Sequence, residues 1–460
     1  MRMLTHLCRQ LFLLVPFLSL SFGEVLDNSD RDLQIAIIGA GPSGLTAAVE
    51  LKERGYNNVT ILEAGKDIGG KVQTVTYNGL PYEMGAVVTA PDYKLVLKIA
   101  KDLKIPLAAT PNSLEISPDG ALTSQDSYII EKYGRIELLL SIYRFSSFVY
   151  TNRHFYEPGF AHTPAELLTT YEDFAKQQNV EATLEAFRPV MVGCGYGFAE
   201  DMPAAYWAKL MKTFVYEYSK HALNPFAPPF FRAFPEGWQN LWKQWAKEKD
   251  LNVFLDAKVS RIRRTMHQGK PDILIRVGDQ TLHFDRVIIS VPHLAKHWMD
   301  LDKQEYAIFS KVHTIPYKVS LVEIENLPQN FHLWPRAYST KYDNNQEPND
   351  GKIVLVSNNQ NNNIYQVYQF SQEGKNSDTL RNIMFENLSQ MKGKVTRVIT
   401  EVMYSYFPHF DTQAFVDQIP QKLSDLQGSR GAYYTGALMN FETVELAAEH
   451  AQWLVQEYFK

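Results

Sequence analysis

The residues from Leu33 to Lys71 limit the possible folds of this 460-residue chain more than any other stretch. They begin with Ile35-Ala36-Ile37-Ile38, a short β-branched run of the kind buried on both faces of a parallel sheet. Gly39-Ala40-Gly41-Pro42-Ser43-Gly44 follows as a GxGxxG turn, and the segment to Arg54 carries apolar residues at helical spacing until Gly55 ends it. Asn57 to Glu63 supplies a second strand, and Glu63 stands 19 residues beyond Gly44. Strand, glycine turn, helix and a strand closed by an acid make a dinucleotide-binding βαβ unit. Gly39 permits the sharp turn, Gly41 lets the backbone approach a pyrophosphate, and Gly44 lets helix and strand pack closely. Pro42 and Ser43 open the helix, whose N-terminal N–H groups and positive dipole end favour an anion. Glu63 can accept hydrogen bonds from ribose hydroxyls and repels a 2′-phosphate, so NADP is not expected. A glycine-rich turn without a ligand is the plain alternative, and the complete strand-helix-acid context argues against it.

The continuation separates NAD from FAD. Ile68-Gly69-Gly70-Lys71 and Tyr82-Glu83-Met84-Gly85-Ala86 resemble the FAD-binding sequel of the flavin amine oxidase superfamily. With Gly195-Tyr196-Gly197, Pro203-Ala204-Ala205-Tyr206, Tyr406-Phe407-Pro408-His409 and Leu426-Gln427-Gly428, the chain further resembles the bacterial polyunsaturated fatty acid isomerases of that superfamily. The resemblance runs over roughly residues 33 to 450. It implies an α/β fold in which a Rossmann-type FAD-binding domain (residues 31–90, 235–300 and 425–460) interleaves with a mixed α+β substrate domain (91–234 and 301–424) that includes a helical insertion. It also implies FAD held by Gly39, Gly41, Pro42, Ser43, Gly44, Glu63, Ala64, Gly70, Lys71, Met84, Gly85 and Ala86. Backbone at Val259 would meet the adenine, and Gly436, Phe441 and Val444 would complete the site near the C-terminus. One position departs from the superfamily: Ala437 stands where an acid is usual, which removes one ribityl or phosphate contact.

Elsewhere the pattern sorts into three kinds of segment. Arg135 to Tyr150, Met202 to Tyr218 and Phe441 to Tyr458 read as helices, and Thr163-Pro164-Ala165-Glu166 combines a capping box with proline at the first helical position. Val253 to Ile262, Val287 to Val291, residues 316–324 and 353–370, and Tyr433 to Thr435 read as strands, with Thr379 to Met391 as a helix covering one sheet face. Met1 to Gly23 reads as a secretory signal peptide: Arg2 and Arg9 precede an apolar core from Leu11 to Phe22, too short to span a membrane, and small residues end it. A secreted or periplasmic location follows from that reading. Its removal takes the net charge from -5 to -7, which disfavours nucleic acid and anionic surfaces. Cys8 goes with it, so Cys194 alone can build neither a disulfide nor a cysteine zinc site within one chain.

No HExxH or GxSxG occurs, so the chemistry falls to the flavin, with no catalytic side chain required. The resemblance implies transfer of a hydride from a bis-allylic carbon and its return at the far end of the pentadienyl unit, which shifts double bonds without net oxidation. The expected partner is a small apolar molecule, an unsaturated fatty acid, and no metal is expected. Tyr196, Tyr404, Tyr406 and Phe407 are candidate substrate-binding walls, since aromatic faces accept both a flavin ring and a developing cation. On spacing alone, Tyr404, Tyr406 and Phe407 are equally sheet side chains alternating between core and surface. An oxygen-consuming amine oxidase is the alternative, for which Lys318 lies near the position of a flavin-facing lysine; the plain reading of Lys318 is an exposed strand residue. The isomerases anchor a carboxylate with an arginine that falls near Asn112-Ser113-Leu114, where this chain has none; Arg144, Arg153 or Lys212 are the substitutes, or the substrate is not a free acid.

Overall fold

A computed structural model describes residues 31–223, 231–291 and 298–460, without the side chains of 216–223. The expected signal segment, Met1 to Gly23, lies outside the described residues. The Leu33–Lys71 unit folds as its sequence dictates. β1 (Ile35–Ile38) is buried at every position, α1 (Pro42–Glu53) follows directly, and β2 (Val59–Leu62) pairs in parallel with β1. Three later segments complete a parallel sheet: β4 (Val253–Phe254) beside β2, β5 (Arg286–Ile289) on the other side of β1, and β11 (Ala432–Tyr434) beside β5. Both faces of this sheet must be covered, because Ile35 and Ile37 point to one side and Ala36 and Ile38 to the other. The C-terminal helix α6 (Val444–Tyr458) packs against α1 on one of them.

The segment expected as one strand from Val253 to Ile262 divides in two. Val253–Phe254 joins the parallel sheet, whereas Val259–His267 begins a separate antiparallel sheet with Lys270–Val277 and Gln280–Phe284. A turn with Asp256 at φ 52° separates them, and hydrogen bonds from the Asp256 and Ala257 amides to the Gly65 and Glu63 carbonyls hold that turn against the end of β2.

A second large sheet carries seven strands. In spatial order they are β10 (Lys394–His409), β6 (His313–Glu325), β9 (Ile364–Phe370), β8 (Ile353–Ser357), β7 (Phe331–Trp334), β3 (Asn112–Ile116) and the short Leu122–Thr123. β3 runs parallel to β7, with Ser113 in register with His332, and the other pairs are antiparallel. α5 (Ser377–Gln390) covers one face, and helices of the 125–223 segment lie over the other.

That segment contains α2 (Gln125–Thr151), α3 (Glu181–Gly193) and α4 (Ala204–Leu223). α2 begins ten residues before the expected Arg135, and Gly134 interrupts it at φ 76°, ψ 159°. The capping box at Thr163 does not form: Thr163 Oγ1 donates to the Phe160 carbonyl, and only a single 3₁₀ turn, Ala165–Leu167, follows. The next helix starts at Tyr171, where the Thr170 hydroxyl accepts from the Asp173 amide. The C-terminal helix likewise begins at Val444, capped by Thr443, and Phe441 precedes it in the core. Among the described residues no helix is long and apolar enough to cross a membrane.

Candidate functional site: a glycine cradle opening into an aromatic cavity

The turn after β1 is shaped by contacts a side chain would destroy, with one exception. Gly39 has φ +103°, and a Cβ on Gly44 would stand 2.0 Å from the Gly39 carbonyl, so these two glycines serve the fold itself. Gly41 is different. Its φ of -77° suits any residue, and a Cβ there would meet nothing nearer than the Gly69 carbonyl at 4.0 Å. Gly70, at φ +58°, lies against Gly41, where a Cβ would stand 3.4 Å from the Gly41 Cα. The two glycines therefore border a trough at the N-terminus of α1, where Pro42 occupies the first turn and no side chain caps the helix. A pyrophosphate fits such a place, because backbone amides and the helix dipole are directed at it. Glu63 closes the neighbouring edge, its Oε2 accepting from the Ala40 amide at 2.7 Å and its Oε1 from the Gly65 amide at 2.6 Å. A carboxylate has about four lone-pair sites, so both oxygens retain capacity for ribose hydroxyls.

From this trough the chain leads into a cavity of about 140 Å³ that is partly open to solvent. Lys71, Gly85, Ala86, Glu442 and Val444 line its near end. Lys71 Nζ lies 2.6 Å from Glu442 Oε1 and 5.1 Å from the centre of the Tyr406 ring. Burial raises the Glu442 carboxyl above its ordinary value, opposed by Lys71 and by the Phe407 backbone, and no hydrogen bond of good geometry reaches its Oε2 among the described residues. Such an oxygen beside a paired lysine, at the end of a trough built for a pyrophosphate, is where the polar edge of a flavin ring fits.

The cavity then crosses the seven-stranded sheet. Tyr404 and Tyr406 come from β10, Tyr317 from β6, Tyr368 from β9, Leu355 from β8, His332 and Trp334 from β7, and Ser113 from β3. Four strand spacings separate β10 from β7, about 19 Å along the sheet. Val190 and Gly193 of α3 and Leu210 of α4 lie among the residues opposite. Tyr406 stacks on Tyr317 with ring centres 4.8 Å apart, and Tyr196 lies beyond at 6.1 Å. Gly195 makes that stack possible: it has φ +82°, and a Cβ would stand 2.7 Å from the Tyr317 ring and 3.0 Å from Tyr406.

Comparison with known proteins identifies the family. The model of flavin containing amine oxidoreductases matches residues 42–297, more than half of the chain. The chain belongs to the flavin-containing amine oxidoreductase family. As a member it uses FAD, which the glycine trough and the paired Lys71 fit. It is 21% identical to the polyenoic fatty acid isomerase of Ptilota filicina, over 94% of this chain and 96% of that one. The solved structure of the CLA-producing fatty acid isomerase from P. acnes superposes with a TM-score of 0.83 at 21% identity, covering 94% of this chain and 99% of that chain. Putrescine oxidase bound to putrescine gives 0.65 at 18% identity, covering 93% and 98%. These superpositions establish the amine oxidoreductase fold across almost the whole chain.

The other expected site residues each have defined neighbours. Ser43 Oγ donates to the Ala447 carbonyl in α6, so only its backbone is free to face a phosphate. Gly85 is required by the fold, since a Cβ would stand 1.8 Å from the Lys71 carbonyl. Met84 is fully buried in the core, Ala64 is exposed beside Glu63, and Val259 is half-buried at the start of the antiparallel sheet. Gly436, at φ +94°, lies against Ser43 and Ser290. Phe441 is completely buried, its ring 4.8 Å from Tyr196 and 5.4 Å from Phe407, and it does not line the cavity. Nor does Phe407. An irregularity in the β6–β10 pairing after Tyr406 and a φ of 46° turn it into a cluster with Tyr206 and His409.

Lys318 is neither the exposed strand residue of the plain reading nor a flavin neighbour. It alternates with Tyr317 and so points to the opposite face, under α5. There its Nζ donates to the Ser377 carbonyl at 2.8 Å and pairs with Glu401 at 2.8 Å, fully buried. Arg144 pairs with Glu137 on the helical layer, while Arg153 and Lys212 line an adjoining cleft and not the cavity. Tyr317, Tyr368, His332, Trp334 and Ser113 went unrecognised in the sequence. Their period-2 spacing was visible, but the face that meets the cavity depends on where the helices pack.

Proposed function

We propose that this protein is an FAD-dependent isomerase that shifts double bonds in a polyunsaturated fatty acid or a close derivative of one. The observation that carries this reading is the shape and chemistry of the cavity, a long aromatic and aliphatic passage that starts at the flavin-facing residues and crosses the sheet for about 19 Å. An extended hydrocarbon fits such a passage. An amine does not obtain a counter-charge there, because Glu442, the only Asp or Glu among the described lining residues, is already paired with Lys71. Similarity to two proteins named as fatty acid isomerases supports the same reading.

In this proposal Gly41, Gly70 and the N-terminus of α1 hold the pyrophosphate, Glu63 the ribose, and Lys71, Ala86, Glu442 and Val444 surround the ring. FAD supplies a hydride acceptor that can also give the hydride back. The protein supplies placement: Tyr406, Tyr317 and Tyr196 hold a diene against the ring system, and their π faces stabilise positive charge spread over five carbons. Buried tyrosines with raised pKa values remain neutral, as does Cys194, whose thiol burial pushes up to about 12. Neither these tyrosines nor Cys194 then offers a base that would drain a proton from the cation.

Purified holoprotein incubated with linoleate, and separately with putrescine and benzylamine, tests the assignment. Conjugated-diene absorbance is expected to rise with linoleate while peroxide stays at background. Peroxide released with an amine and no diene from linoleate would replace the isomerase by an oxidase.

A further inference from the structure

At the end of the cavity remote from Lys71, two buried rings each keep a nitrogen that the protein leaves unused. His332 and Trp334 are 5% and 6% exposed, both line the cavity, and His332 Nε2 and Trp334 Nε1 have no hydrogen-bond partner among the described residues. Two polar atoms side by side on one short strand are costly to bury if nothing meets them. Ser113 lies beside them, in register with His332 on the neighbouring strand, and also lines the cavity.

The hydrogen-bond network behind the imidazole determines what it offers. Ser357 Oγ donates to Asn359 Oδ1 at 3.1 Å, which uses its single proton. The 3.0 Å contact between Ser357 Oγ and His332 Nδ1 is therefore a bond donated by Nδ1–H. Nε2 of the neutral ring is then an acceptor, whereas the indole Nε1–H of Trp334 can only donate. Burial lowers the His332 pKa to about 4, with no carboxylate opposing it. Lys71, the only Lys or Arg among the described lining residues, is paired with Glu442.

Resting on the lipid reading above, we propose that His332, Trp334 and Ser113 form a head-group site that takes the polar end of the substrate uncharged. The group must both donate to His332 Nε2 and accept from Trp334 Nε1–H. An alcohol, a primary amide or a protonated carboxyl group satisfies this. A carboxylate does not, because it would set its charge against the Nε2 lone pair of a buried ring, with no unpaired Lys or Arg among the described lining residues. An ester lacks the donor.

The test uses holoenzyme and three 18-carbon ligands without a bis-allylic carbon: oleyl alcohol, oleate and methyl oleate. Dissociation constants are read from the change in flavin absorbance between pH 6.5 and 8.5. Alcohol binding measured at each pH cancels any titration of the cavity common to both ligands, including that of Glu442, Cys194 and the tyrosines. Oleate is expected to weaken relative to the alcohol by about tenfold per pH unit, since only its neutral form binds. Methyl oleate should bind about tenfold more weakly than the alcohol. His332→Phe should reduce the alcohol to the affinity of the ester and leave the ester unchanged, and His332→Gln, which keeps an acceptor, should restore the alcohol. Trp334→Phe, which removes the donor, should weaken all three ligands and serves as the independent variant should His332→Phe not fold. Oleate binding more tightly than the alcohol without pH dependence, or equal affinity for alcohol and ester, would overturn the head-group site while leaving the lipid reading intact. If none of the three perturbs the flavin and an amine does, both readings fall together.

Discussion

Gly41→Val is expected to give folded protein with less than about a tenth of the flavin of the parent. The expectation rests on an asymmetry among the glycines of the turn. A side chain at Gly39 or Gly44 collides with protein, at 2.8 Å from Val291 and 2.0 Å from the Gly39 carbonyl respectively, so loss of flavin there would say nothing about a ligand. At Gly41 the backbone is already in a conformation open to every residue, and the nearest atom to a Cβ is 4.0 Å away. The space that valine would fill belongs to the trough, so the protein tolerates the substitution and the pyrophosphate does not. Flavin released by heat, measured against protein concentration, gives the occupancy, and circular dichroism reports the fold. Full retention of FAD in folded Gly41→Val would move the nucleotide elsewhere.

Tyr406→Ala should lower kcat on linoleate by about 100-fold, the scale of a displacement of about 1 Å at the reacting carbon. Tyr406 stands where the flavin-facing end meets the passage, with Lys71 over its ring and Tyr317 stacked against it. Its removal opens a gap beside the diene and takes away one π face for the cation. Tyr406→Phe keeps the ring, and should stay within a few-fold of the parent. The comparison separates a wall from an acid or base: similar losses in both variants would assign the work to the hydroxyl.

Much of the nucleotide half was legible because its constraints are local. The β1 turn needs its glycines at fixed offsets, and the strand, helix and acid follow within thirty residues. Glycine identity alone did not reveal which glycines serve a ligand, since Gly85 and Gly44 are required by close backbone contacts and Gly41 is not. The substrate half was less legible because it depends on packing between distant segments. Lys318 reads as a surface residue until Ser377 and Glu401 are brought over it by α5 and β10. Phe407 reads as a partner of Tyr406 until an irregular pairing turns it into the core. His332 and Trp334 carry no motif. Their significance arises from two nitrogens that are unpaired among the described residues, at the end of a cavity that six strands assemble.

In the proposed isomerisation, electrons taken from the lipid return to the same lipid. Turnover of linoleate by holoenzyme in the rigorous absence of oxygen tests it most directly, followed by conjugated-diene absorbance over many equivalents of enzyme. The anaerobic rate is expected to equal the aerobic one, with no peroxide on readmission of air. Product that stops at about one equivalent per FAD, and resumes only with oxygen and with matching peroxide, would contradict it.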